Sequence, residues 1–171
     1  MSDQSFPLHH ESARLAPAPV EQVFAFLDDP KALAEHMGKS SMMMLGSRIS
    51  IDVDADGGRV IGSKVRMHRS VFGVRHSLEE VITERQVPAM KVRETIGTPK
   101  LLVISHYRMG VELTRKGDSS QVRVFIDYSL PIEAPGSWLG HWLGAVYARW
   151  CTKQMVSGAA RKFAPAMAKA P

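Results

Sequence analysis

The sequence is constrained most by a change of hydrophobic period toward its C-terminal end. Between Met42 and Leu130, apolar and polar residues alternate in short segments separated by turn sequences, a pattern typical of antiparallel strands. Between Ser137 and Phe163 the apolar residues recur at helical spacing instead. These 27 residues predict a helix of roughly 40 Å, which is long enough to cover one face of a small sheet.

The N-terminal part predicts one strand and two short helices. Phe6 to Leu15 alternates and is followed by two prolines, so it reads as a strand. Val20 to Leu27 has helical spacing, and a second short helix is expected over Lys31 to Met37. Six strands and the long helix follow. The sequence therefore predicts an α+β fold with a curved seven-stranded antiparallel sheet, two short helices after strand 1 and a long C-terminal helix.

Length and composition predict one soluble domain. A chain of 171 residues is typical of a single domain, here 1–171 with its ordered part over about 6–163. The longest uncharged stretch covers 15 residues, fewer than the ~20 that a membrane span needs. The N-terminus lacks the features of a secretory signal, and the single cysteine, Cys151, cannot form an internal disulfide. We expect a cytoplasmic protein, either a monomer or a homodimer.

The basic charge balance permits several partners and requires none. The formal net charge is +5 and the isoelectric point is near 9.6, yet the basic residues are spread along the chain without a long Lys/Arg tract. A solvated basic face is the simplest interpretation, and no nucleic acid partner is expected. An interaction with an anionic membrane surface or a protein, tested through Arg66 and Arg75, stays open.

The chain resembles a known superfamily. Its order of elements, together with the opening Pro-x-x-x-Val-Phe-Ala-Phe-Leu-Asp-Asp-Pro from Pro19 to Pro30, is similar to the START/Bet v-like helix-grip superfamily (SRPBCC), in particular its polyketide cyclase/dehydrase-like branch. The resemblance extends from Phe6 to Phe163. It implies a helix-grip fold with a gap between the concave sheet and the long helix that takes hydrophobic or amphipathic ligands. His36 stands where related sequences often have a tryptophan, and its role is left open.

Two tyrosines and a serine are candidate polar anchors in that gap. The odd positions from Leu101 to Thr114 are mostly apolar and are expected to face the long helix, which places Ser105, Tyr107 and Met109 there. The even positions from Val122 to Leu130 do the same and include Tyr128. The hydroxyls would hydrogen-bond a ligand, or they would merely reach water or a backbone carbonyl at the edge of the core.

Two charged residues occupy strand positions whose alternate neighbours are apolar. Arg69 shares its parity with Val65 and Met67, and Glu94 shares its parity with Val92. Because an unpaired charge is costly in an apolar interior, they are expected to pair with one another, or Arg69 is expected to await an anionic or carbonyl-bearing ligand. A bulge or strand end that turns them to solvent is the alternative.

The remaining candidates are apolar. Trp138 and Trp142 would supply a large apolar wall, and Met67 and Met109 suit an adaptable pocket. The alternative is that all four simply fill the core. The histidines show no metal-ligand spacing, Cys151 is interpreted as a buried structural thiol, and no metal, cofactor or catalytic residue is predicted.

These observations leave three hypotheses for function. The leading one is a binding domain that encloses a hydrophobic or aromatic small molecule, such as a lipid, a quinone or a polyketide-like compound. The second is an enzyme of the polyketide cyclase, aromatase or dehydratase kind that uses the same cavity. The third is a membrane or protein interaction module that uses the basic surface.

Overall fold

The structure, a computed structural model, describes residues 5–30, 49–71, 74–97, 99, 103–131 and 138–164. For residues 49, 69–71 and 74–76 it describes the backbone alone. The elements are β1 (Leu8–Ala16), α1 (Val20–Asp28), β2 (Ile49–Val53), β3 (Lys64–Val71), β4 (Val74–Gln86), β5 (Met90–Ile96), β6 (Tyr107–Lys116), β7 (Ser119–Tyr128) and α2 (Trp138–Phe163). The second short helix expected over Lys31 to Met37, with His36, lies outside the described residues.

The seven described strands form one curved antiparallel sheet in the order β1-β7-β6-β5-β4-β3-β2. Only β1 leaves the sequential order, because it pairs with β7 along its whole length. The predicted α+β fold, with one antiparallel sheet and a long C-terminal helix, is confirmed.

Turn chemistry sets the hairpins. The β6–β7 turn is two residues long, and Gly117 takes a φ of 62°, a left-handed value that glycine adopts without strain. In the β2–β3 connection, the Asp54 carboxylate accepts hydrogen bonds from the Ser63 hydroxyl at 2.6 Å and from the Lys64 amide at 2.6 Å. One side chain thus ties together the two ends of that loop.

Strand β6 begins six residues later than the predicted Leu101. The Thr95 hydroxyl accepts a hydrogen bond from the Tyr107 amide at 3.0 Å and lies 3.3 Å from the Tyr107 carbonyl oxygen, so a side chain takes the place of the next rung of the β5–β6 ladder. The residues before Tyr107 then bond to the end of β7, where the Ser105 amide donates to the Ser129 carbonyl at 2.8 Å.

The core lies between the inner face of the sheet and the two helices. Helix α2 packs mainly on β1 and β7 and also touches α1. It buries mostly small residues there, which allows close approach, and Cys151 is buried among them as expected. None of the helices that the structure describes is long and apolar enough to cross a membrane. The buried apolar cluster contains Ala16, Ala18, Val20, Val23, Phe24, Leu27, Ile104, Tyr107, Met109, Val111, Leu113, Val122, Val124, Ile126, Tyr128, Ala148, Cys151, Met155, Val156 and Ala159.

Candidate functional site

The inner faces of β6 and β7 follow the predicted alternation. Tyr107 and Met109 are buried on β6, and Tyr128 is buried on β7 directly opposite Tyr107 in the ladder. All three belong to the same buried cluster as residues of α2. The sheet therefore presents two phenol rings and a thioether toward the helix.

Strand β5 has the opposite orientation to the one predicted. Arg93 stands opposite Met109 in the ladder and so shares the inner face, whereas Glu94 stands opposite Arg108 on the outer face. Glu94 is paired there with Arg108, whose Nε lies 3.4 Å from its Oε1. The expectation that Glu94 faces the interior is therefore wrong.

An apolar residue on the outer face explains the error. Val92 is fully buried although it stands on the outer side, opposite Gly110. The ring of Phe125 lies directly over Gly110, because a Cβ added at this glycine would come within 2.2 Å of the ring. On β5 an apolar residue is therefore buried on the outer face, and the apolar positions of this strand do not mark its inner face.

A buried polar cluster occupies the inner face of β4, β5 and β6. Glu80 of β4 is 0% exposed, and its Oε1 accepts a hydrogen bond from the Tyr107 hydroxyl. Arg93 of β5 contacts the strands on either side. Its Nε lies 3.5 Å from Glu80 Oε2 on β4, and its Nη2 donates to the Met109 sulfur on β6 at 3.4 Å. Glu80, Arg93, Tyr107 and Met109 are called the inner cluster below.

The inner cluster is incompletely satisfied. Glu80 Oε2 is fully buried and accepts no hydrogen bond. Within the part of the chain that the structure describes, Nη1 of Arg93 also has no hydrogen-bond partner. A guanidinium offers five N–H donors, so Arg93 retains hydrogen-bonding capacity on a face that is otherwise mostly apolar.

Burial keeps the phenols protonated. Removal from water, followed by the negative charge of Glu80, raises the pKa of Tyr107 well above its ordinary value of 10.0. Burial also raises the pKa of Tyr128. Both hydroxyls are therefore hydrogen-bond donors at neutral pH, and neither is a base.

Tyr128 differs from Tyr107 in the partner of its hydroxyl. The residue is 3% exposed, yet its hydroxyl makes no hydrogen bond to any described residue. Its ring touches α2 at Gly144, where an added Cβ would lie 3.2 Å from Cε2. Tyr147 of α2 is partly buried and packs against the same apolar core.

A second charged cluster fixes α1 to the same inner face. Asp28 accepts hydrogen bonds from Arg85 Nη2 at 2.7 Å and from Lys91 Nζ at 2.7 Å. Lys91 also donates to the carbonyl oxygens of Asp28 and Gly58, at 2.9 and 2.7 Å, so its three N–H donors are all used. Burial alone would raise the pKa of Asp28, but the hydrogen bonds from Arg85 and Lys91 outweigh it and lower that pKa. This cluster joins α1 to β4 and β5, since every donor of Lys91 and both bonded nitrogens of Arg85 are directed at α1 or at Gly58.

The other predicted site residues have different placements. Ser105 is half-buried, and its hydroxyl is paired with Nδ1 of the neighbouring His106 at 3.1 Å. Met67 is half-buried on β3, opposite Leu78. The backbone of Arg69 pairs with His76, but its side chain lies outside the described residues, so its proposed partnership is not observed.

Trp138 and Trp142 do not form a wall against the sheet. They are 79% and 57% exposed, and α2 instead buries residues on its other side, such as Gly144 and Ala148. The prediction of an inward apolar wall is wrong, because the helix approaches the sheet through small side chains.

Sequence reasoning missed Glu80 and Arg93. A usable signal was present for Glu80, because it shares its parity with the apolar residues Leu78 and Ile82 on either side. No such signal existed for Arg93, whose neighbours of the same parity are Lys91 and Thr95. Among the described residues no group of histidine, cysteine or carboxylate side chains is arranged to hold a metal ion.

Comparison with known proteins identifies the architecture. No family model and no curated protein matches the sequence, but solved structures match over nearly the whole chain. A truncated norcoclaurine synthase from Thalictrum flavum is 15% identical with a TM-score of 0.64, and the match covers 91% of this chain and 92% of that one. This chain has the helix-grip fold.

Two further structures support the same conclusion. Protein CV1439 from Chromobacterium violaceum is 17% identical with a TM-score of 0.63, covering 93% of this chain and 99% of that one. The major latex-like protein 151 of Panax ginseng is 11% identical with a TM-score of 0.61, covering 94% and 100%. The resemblance expected from the sequence is confirmed for the fold. At these identities the comparisons do not transfer a function.

Proposed function

We propose that this helix-grip domain binds a hydrophobic or aromatic small molecule between its sheet and α2, with the polar end of the ligand held by Arg93. The observation that carries the proposal is the inner cluster. Burying charges costs stability, and well-packed apolar residues of similar volume are often as stable or more so. A charged group kept on an inner face, with a hydrogen-bonding position that no described residue uses, is therefore better explained by a ligand than by folding.

The chemistry of the inner cluster limits the ligand. Arg93 offers N–H donors only, so its partner must be an acceptor such as a carboxylate, a carbonyl or a phenolate oxygen. The Tyr128 hydroxyl supplies a second polar contact. The surrounding cluster is apolar, with Met109 adaptable in shape. A flat or extended apolar body with one electron-rich oxygen group fits this lining.

The similar structures are compatible with such a ligand. The norcoclaurine synthase from Thalictrum flavum has a structure in complex with dopamine and hydroxybenzaldehyde, both aromatic. That fold thus accommodates small aromatic molecules. We further propose, as the sequence suggests, a cytoplasmic protein without a bound cofactor or nucleic acid partner.

The test compares two arginines. The protein is titrated with the fluorescent probe anilinonaphthalene sulfonate, which combines an aromatic body with an anionic group. Arg93→Gln is expected to weaken binding roughly tenfold or more, since a hydrogen bond to a charged group is worth about 1.5 to 3 kcal/mol. Arg66→Gln, at a side chain 61% exposed on the outer face, is the matched control and should leave binding unchanged.

Folding is controlled separately. Arg93→Gln leaves the buried charge of Glu80 without its neighbouring cation. The double variant Arg93→Gln with Glu80→Gln removes both charges, so no unpaired charge is left buried. Circular dichroism and an unfolding curve establish that each variant is folded. Equal affinity of the probe for the natural protein and a folded Arg93→Gln variant would contradict the proposal. The proposal would also be contradicted if none of the apolar acids or phenols tested displaced the probe.

A second candidate function is catalysis of the polyketide cyclase, aromatase or dehydratase kind. It is favoured by the buried Glu80 carboxylate, which Tyr107 and Arg93 hold in place, because a carboxylate can take a proton from the carbon next to a carbonyl while a guanidinium stabilises the enolate oxygen that forms. Turnover of a candidate polyketide that is lost in Tyr107→Phe, while binding of the same compound is retained, would select this function. Binding without turnover in the natural protein would select the carrier.

A further inference from the structure

One side of α2 carries exposed tryptophans followed by basic residues. Trp138, Trp142, Val146, Arg149 and Lys153 fall within about 80° of one another around the helix axis; together they are called the outer stripe. Trp138 and Trp142 are 79% and 57% exposed, and Val146 is 40% exposed. Leu139 and Leu143 flank it at 47% and 40% exposure. Such a contiguous apolar surface is unusual on a soluble domain and marks an interaction site.

The charge of α2 has a single sign. From Trp138 to Phe163 the helix has four basic residues, Arg149, Lys153, Arg161 and Lys162, and no acidic one. Arg149 and Lys153 form no ion pair with any described residue. Their charges, after burial, help to lower the pKa of the neighbouring His10 on β1. The outer stripe is therefore a positive surface that no described acidic residue pairs with.

We propose that the outer stripe docks on the surface of a bilayer that contains anionic phospholipid. Tryptophan rings prefer the headgroup level of a membrane, and basic side chains are attracted to anionic headgroups. The stripe from Trp138 to Lys153 is about 22 Å long, so the helix would lie in the plane of the interface. Two cations are too few for the phosphate contacts that usually hold nucleic acid.

The inference goes beyond the proposed function, because it concerns the side of α2 that faces away from the sheet. It also gives a physical route for an apolar ligand, which is concentrated in bilayers. The docking and the binding of a ligand on the inner face are nevertheless tested by different variants, since no residue of the outer stripe belongs to the inner cluster.

The experiment is co-sedimentation of the whole protein with two kinds of vesicle, phosphatidylcholine alone and phosphatidylcholine mixed with phosphatidylglycerol. We expect binding to the mixed vesicles that weakens with added salt and a blue shift of tryptophan fluorescence. Arg149→Gln with Lys153→Gln should lower partitioning by about thirtyfold, at about 1 kcal/mol for each basic side chain near the surface. Trp138→Ala with Trp142→Ala should abolish the blue shift.

The matched control is Lys64→Gln with Arg66→Gln, which removes the same charge from side chains 54% and 61% exposed on β3. This variant should bind vesicles as the natural protein does. Equal binding to both kinds of vesicle, equal losses in the control and stripe variants, or no vesicle binding at low salt would overturn the proposal. A concentration-dependent dimer that protects the tryptophans in the absence of vesicles would also overturn it, because the stripe would then be a contact between two copies.

Discussion

Replacing Tyr107 by phenylalanine tests whether the inner cluster is held together as the structure indicates. The Tyr107 hydroxyl donates its hydrogen bond to Glu80, a carboxylate with no exposure whose other oxygen already accepts none. Removal of the hydroxyl leaves both carboxylate oxygens without a hydrogen bond. The cost of losing a hydrogen bond to a buried charged group is about 1.5 to 3 kcal/mol.

Tyr128 provides a control of unusual quality. It stands opposite Tyr107 in the β6–β7 ladder, it is buried to a similar degree, and its hydroxyl has no hydrogen-bonding partner among the described residues. Tyr128→Phe removes the same atom from the facing position on the next strand, where burial raises the pKa of the hydroxyl less than it does at Tyr107. We expect a change of less than about 0.5 kcal/mol, because no hydrogen bond to a described residue is lost.

The assay is urea unfolding of both variants at pH 7, followed by fluorescence and circular dichroism. The predicted loss in Tyr107→Phe corresponds to a fall of about 4 to 10 °C in the melting temperature for a domain of this size. Equal destabilisation by the two substitutions would refute the reasoning, because the two sites differ in the partner of the hydroxyl. A double-mutant cycle with Glu80→Gln should show a coupling of about 1 kcal/mol or more between Tyr107 and Glu80.

Two further predictions concern structural features around the site. Asp28→Asn should cost about 3 kcal/mol in urea unfolding, because it removes the carboxylate that Arg85 and Lys91 share. Folding lowers the pKa of Asp28 below its ordinary value of 3.8. The stabilisation from its ion pairs is therefore present above about pH 4 and is lost as the pH falls through the folded pKa. In this acid range the unfolding free energy of Asp28→Asn should change less with pH than that of the natural protein. Gly110→Ala should cost about 1 to 3 kcal/mol by forcing its new methyl group against Phe125, and it should leave probe binding unchanged because Gly110 lies on the outer face. If Phe125→Leu in the same chain did not reduce that cost, the close contact would not be its cause.

The sequence predicted the fold well wherever apolar residues face inward. On β6 and β7 every second residue is apolar, so the inner faces with Tyr107 and Tyr128 were correct. The order of elements was equally clear, because the helical and alternating periods are long and distinct there. These are local properties of the chain, and no knowledge of its partners in space is needed to see them.

The part of the site on β4 and β5 could not be predicted in the same way. Arg93 points inward because its neighbour in space is Glu80, thirteen residues away along the chain. Val92 is buried on the outer face beside Gly110, the glycine that the Phe125 ring of β7 covers. Both features involve contacts across strands. Alternation within one strand therefore gave the wrong face for β5, and the error fell on the residues that matter most for a ligand.

The charge of the inner face favours an acidic ligand. Within the inner cluster and the neighbouring Asp28 cluster, Arg85, Lys91 and Arg93 supply three positive charges, while Asp28 and Glu80 supply two negative ones. Asp28 is shared by two cations at 2.7 Å, whereas the contact of Arg93 with Glu80 is 3.5 Å long. The loosest ion pair on this face is thus at Arg93. A carboxylate or phenolate that approached Arg93 would balance the excess charge without breaking a short contact, and a cationic ligand would have to displace one. Among apolar compounds of equal size, acids should therefore compete with the fluorescent probe better than amines do, and the preference should vanish in Arg93→Gln.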